Sequence, residues 1–170
     1  GTQWHLSVGE FGAPGGSLRL TRSTAVLVDA DGTRHEFARD GAQFRSPADY
    51  PYRLYATDEV VDGRQVQLVL VASDGTTYYF VDPPSTATTH VAVLARISDR
   101  DGNDVTFDYD CVGVTRNPTT MQVDSIGAAQ STGSPCPTLA SLGGGYTSIE
   151  LRMSRASFAG GRSWELQYAP

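Results

Sequence analysis

The chain has no lysine; all 13 of its basic residues are arginine. That absence removes a Schiff-base lysine, a phosphate-loop lysine and any internal lysine–asparagine crosslink. A GC-rich genome accounts for the bias without a functional cause. Cysteine is nearly absent, with Cys111 and Cys136 alone, and no Cys/His cluster stands at the spacing of a structural zinc site. No window approaches the ~20 apolar residues of a membrane-spanning helix, so membrane insertion is not expected. There is no leader pattern of basic, apolar and small residues. A net charge of −6 and the lack of any polybasic run speak against nucleic acid and anionic membranes as partners. Helical periodicity is almost missing. So are the Gly-x-Ser-x-Gly elbow, the His-Glu-x-x-His helix and a glycine-rich phosphate loop.

What the chain does have is strand text, punctuated by Asp-Gly. TAVLVD (24–29) and TRHEFAR (33–39) flank Asp31-Gly32, and QVQLVLVA (65–72) and TTYYFVD (76–82) flank Asp74-Gly75. HVAVLARIS (90–98) and DVTFDYD (104–110) flank Asp101-Gly102-Asn103, and TSIELRMSRA (147–156) and RSWELQY (162–168) flank Gly160-Gly161. Glycine supplies the positive φ of a tight turn cheaply, and Asp or Asn bonds back to the nearby backbone. Four such pairs predict an all-β, antiparallel, hairpin-based sheet. Another hairpin signal stands at Asp62-Gly63, and FGAPGGS (11–17) reads as a turn before SLRLTRS. The 65–72 run is apolar on both faces, which predicts packing against more than one layer.

The 170 residues read as one β domain. Within it, 111–146 reads as an insertion, and its Gly-, Ser- and Thr-rich part (125–145) as a long surface loop. Gly1 in place of Met, and a chain stopping just after ELQY, lead us to expect a piece of a longer protein.

The spacing Asp-Gly-x4-Phe recurs in Asp31-Gly32…Phe37, Asp74-Gly75…Phe80 and Asp101-Gly102…Phe107. DRDGNDVTFDYD (99–110), with Tyr109-Asp110 at its end, resembles the unit of Rhs or YD-repeat proteins. WHLSVG…LRLTRSTAVLVDADGTRHEF is similar to the region that opens such arrays in secreted actinobacterial members. Unit spacing is uneven, and the last unit has Gly160, Leu166 and Tyr168-Ala169 where Asp, Phe and Tyr-Asp are expected, so the likeness is to an irregular opening segment. The resemblance implies a shell wall, secreted or at the cell surface, that encloses or presents a C-terminal effector. The implied partners are neighbouring repeats of the same polypeptide. The family's self-cleaving motif has no counterpart here, so no enzyme activity is expected and no catalytic residue is named.

Other chemistry competes with that reading. Two cysteines in a secreted-looking chain predict a Cys111–Cys136 disulfide worth roughly 3 kcal/mol, against two buried free thiols. Asp99, Asp101, Asn103 and Asp104 place oxygens as part of a calcium loop would, but Gly102 falls at the fourth position and not the sixth. Plain turn chemistry, with no cofactor, is the main reading. Tyr50, Tyr52, Tyr55 and Trp164 offer faces for a glycan, making a carbohydrate-binding module the principal alternative. Sheet packing explains the same aromatics. Of His5, His35 and His90, His35 reads as solvated or cross-strand paired. A secreted hydrolase fragment is the remaining alternative.

Overall fold

The computed structural model describes residues 17–20, 24–28, 33–41, 43–48, 50–61, 64–81, 91–120, 122–131 and 145–166. Thirteen strands run through them. These are β1 (Ser17–Leu20), β2 (Thr24–Val28), β3 (Arg34–Asp40), β4 (Gln43–Arg45), β5 (Arg53–Ala56), β6 (Val60–Val61) and β7 (Arg64–Val71). They continue as β8 (Thr77–Val81), β9 (Val91–Ser98), β10 (Asp104–Arg116), β11 (Val123–Ser131), β12 (Ser148–Phe158) and β13 (Ser163–Glu165). The described residues hold no helix, and twelve of the strands share one antiparallel sheet. β6 adds a two-pair ladder to β7 through Val60↔Gln65 and Val61↔Arg64.

Neighbours follow the order β1-β2-β3-β4-β5-β7-β8-β9-β10-β12-β13, with β11 on β10 and a further β1–β9 pairing. The sheet curls because Leu18 and Arg19 of β1 return to Ala92 and Val91 of β9. It does not close into a barrel. The same edge of β9 passes to β10 at Arg96, Ile97 and Ser98, so β9 is a fork. There the sequence expectation needs correcting. The 90–98/104–110 hairpin pairs only next to its turn, after which β10 leaves β9 and takes β11 along that edge.

Register puts Ala25 opposite Phe37, Phe44 opposite Leu54, Leu54 opposite Leu70, Leu68 opposite Phe80 and Phe80 opposite Leu94. All are buried in one contiguous core, which Phe107, Tyr109 and Met153 extend along β10 and β12. Phe37, Phe80 and Phe107 reach it alike because each stands at the same offset from an Asp-Gly turn, and strand side chains alternate with period two. On β7, Val66, Leu68, Val69 and Leu70 are all buried, on both faces. A register shift between Val66 and Leu68 accompanies this.

The 111–146 segment also departs from expectation. β10 runs on through Arg116, and 123–131, expected largely as loop, is β11, paired from Asp110↔Ser131 to Arg116↔Val123. Its small residues carry little strand signal. A thirteen-residue β10 exposes an edge whose backbone groups need partners, and β11 supplies them. The connection is set by Asn117, whose side-chain oxygen accepts from the amides of Thr119 and Thr120 at 2.9 and 3.1 Å. Residues 132–144 lie outside the described residues, as do residues 11–16 of the 11–17 turn and the Asp31-Gly32 and Asp62-Gly63 turns. A β3–β4 hairpin that the sequence reading overlooked turns at Gly41 (φ 65°). Its signal, Asp40-Gly41, was in plain text.

Candidate functional site

The repeated turns lie at one rim of the sheet. In the β7–β8 turn the Thr76 amide donates to Asp74 Oδ1 at 2.9 Å, and Gly75 holds φ 91°. In the β9–β10 turn the amides of Asp101 and Asn103 donate to Asp99 Oδ1, each at 2.8 Å, and Asn103 Nδ2 donates to Asp99 Oδ2 at 2.8 Å. These bonds, the Asn103 side chain first, hold the Asp99 carboxyl below its ordinary range. Thr76 does the same for Asp74, with a smaller contribution from Arg100. The two turns touch: a Cβ on Gly75 would lie 3.1 Å from Arg100 Cβ. Asp99 was read as a metal candidate, whereas both its oxygens are committed to the turn. Gly102 (φ 83°) completes that turn, and Asp101 stays exposed, 3.9 Å from Arg100 Nε.

Asp104 faces elsewhere. It accepts from the Ser98 hydroxyl and lies 3.7 Å from Arg96 Nη1. Among the described residues no group of three His, Cys, Asp or Glu gathers as metal ligands. Further along β10, Tyr109 is completely buried and its hydroxyl donates to the Leu94 carbonyl at 2.7 Å. That bond spans the fork where β10 has left β9, and it satisfies a carbonyl that has lost its strand neighbour. Asp110, on the opposite face, borders a hollow.

The glycan candidates fall in three places. Tyr50 stacks on His35 (3.6 Å between centroids) and on Tyr52 (4.3 Å), and meets Phe37 edge-on. Stacking faces a sugar would use are thus engaged within the chain, and His35 is part of that pile. Tyr55 stands on the opposite face of the sheet. Register there runs Gln43, Tyr55, Val69, Tyr79, Arg96, Thr106 from strand to strand. The Arg96 guanidinium lies over the Tyr79 ring at 4.2 Å. Burial, with Glu59 and Tyr79 nearby, raises the Tyr55 hydroxyl above the ordinary tyrosine range. Trp164, 55 % exposed, is on β13 at the end of the ladder path, edge-on to Phe158. Only pairing register brings Tyr79 and Arg96 beside Tyr55.

Cys111 is fully buried in β10. No cysteine among the described residues is free; Cys136 lies outside them, as do His5 and His90.

No family model, no curated protein and no solved structure matches this chain.

Proposed function

We infer that the chain is a non-catalytic wall segment of a secreted or cell-surface shell of the Rhs/YD-repeat kind, which encloses or presents a C-terminal effector. Its partners are neighbouring repeats of the same polypeptide. The observation that supports this reading is what the motif residues do. Phe37, Phe80, Phe107 and Tyr109 are core, Asp74 and Asp99 close turns, and successive turns abut through Gly75 and Arg100. Those motif residues thereby do architectural work that the next hairpin can repeat. Electron microscopy of the whole polypeptide is the test. A hollow β-walled particle with this segment in its wall is expected, and a free-standing module on a linker overturns the reading. A Cys111–Cys136 bridge would pin the 132–144 segment to β10. Mass spectrometry of the non-reduced protein is expected to find the linked peptides, and two alkylated thiols would dispose of the bridge.

The Tyr55–Val69–Tyr79–Arg96 row favours a second reading, a carbohydrate-binding face, because it sets two rings, Tyr55 and Tyr79, on one face with the Arg96 guanidinium. A glycan screen with and without a chelator tests this reading and the calcium loop together. Saturable binding that is lost in Tyr55→Ala is expected for the row. Loss on chelation alone would return Asp99–Asp104 to consideration.

A further inference from the structure

The last residue of the Tyr-Asp pair has no task in the wall. Asp110 is half-buried, and among the described residues its carboxylate takes no hydrogen bond or ion pair. It borders a hollow of about 190 Å³ with Arg152 and Ser154 at its side and Val112, Ile126 and Leu166 as apolar walls. Asp110 and Arg152 are direct partners in the β10–β12 ladder, so their Cβ atoms stand about 5 Å apart. Opposite charges so placed ordinarily join. Here Arg152 is held by another interaction in the structure, and the acid is left facing the hollow. Gly127 also borders the hollow, and the Tyr146 hydroxyl fills the space where its Cβ would be.

We propose that this hollow is a binding site for a small zwitterion of the α-amino-acid class, with an apolar side chain. The ligand's ammonium meets the Asp110 carboxylate, and its carboxylate meets the Arg152 guanidinium and the Ser154 hydroxyl. An amino acid carries its two charges side by side at a spacing that an acid and a guanidinium on facing strand positions match in reverse. Its side chain then lies against Val112, Ile126 and Leu166. A simple anion meets repulsion from Asp110, so a carboxylate is favoured here only with an ammonium beside it on the same molecule. The proposal is independent of the wall reading, since it concerns β10, β11, β12 and Leu166 alone.

Ligand-observed NMR and calorimetry on the intact chain with leucine, methionine and phenylalanine test it. Saturable binding of at least one is expected, with N-acetyl-leucine and leucinamide each weaker by about tenfold or more, as loss of one charged pair implies. Asp110→Asn, which is isosteric, and Arg152→Gln, which is shorter but polar, both at half-buried positions, are expected to cause the same loss while circular dichroism stays unchanged. Should either variant unfold, the comparison among leucine, its amide and its acetyl form on the unaltered protein still decides. No binding of any of the three amino acids overturns the proposal. So does equal binding of the blocked forms, or binding indifferent to a folded Asp110→Asn.

Discussion

The curl from β1 to β9 and the extension from β10 to β13 are built from similar strand text and are held by different means. In the curl, most neighbours in the sheet are neighbours in sequence, and their inward side chains merge into one core. In the extension, β10 pairs with β12 across the whole 117–147 stretch, and the buried Cys111, Val112 and Val114 stand outside the contiguous core cluster. Local hairpins find their register early, because little loop entropy is lost in closing them. The extension must hold its pairing by fitted contacts, a hydroxyl here and a glycine notch there. Repetition of sequence therefore does not bring equal robustness.

The contrast is open to attack at defined points. Tyr109 belongs to both regions, so Tyr109→Ala should cost most, about 3–5 kcal/mol in chemical denaturation. Tyr109→Phe, which strands the Leu94 carbonyl, should cost about 1–2 kcal/mol. A near-neutral Tyr109→Ala would show that the two regions fold independently. Gly127→Ala puts a methyl group where the Tyr146 hydroxyl sits. It should cost about 1–3 kcal/mol, with hydrogen exchange rising in β11 and not in β2–β5. Uniform exchange would erase the distinction drawn above.

Smaller effects belong to the rim. The Asp99 carboxyl is held below its unfolded value, so the turn's contribution is fully present above ordinary carboxylate pKa values and is lost as pH falls through the folded one. Amide protection at Asp101 and Asn103 should thus drop in acid. In Asp99→Ala it should be low at every pH; acid-independent protection in the unaltered chain would sink this account. Least of all, Glu165→Gln removes an exposed 2.8 Å pair with Arg155. It should change stability by under about 0.5 kcal/mol in the same denaturation assay. A larger loss would mean β13 is more than a trim on the sheet.

The curl was legible where alternation and Asp-Gly coincided: β2–β3 and β7–β8 were anticipated to within a residue or two. β11 was not, because Gly127 and its small neighbours carry no alternation of large apolar side chains. Asp99 was weighed as a calcium ligand against plain turn chemistry, and its oxygens go to amides two and four residues on, a local bond that the Asp-x-Asp-Gly-Asn text already permits. The tyrosines are a different case. Tyr50, Tyr52 and Tyr55 are close in sequence, but the first two pack beside Phe37 while the third stands on the other face.

By itself, then, the sequence determined the class of structure and the β2–β3 and β7–β8 hairpins, since turn geometry and period-two alternation act over a few residues. Only the tertiary structure decided that β9 forks and that Tyr109 bridges the gap. It alone set Asp110 unpaired beside Arg152 and put Tyr79 and Arg96 next to Tyr55. Those outcomes depend on which distant strand takes each edge, and a strand's edge bonds are made by backbone groups that every residue but proline carries alike.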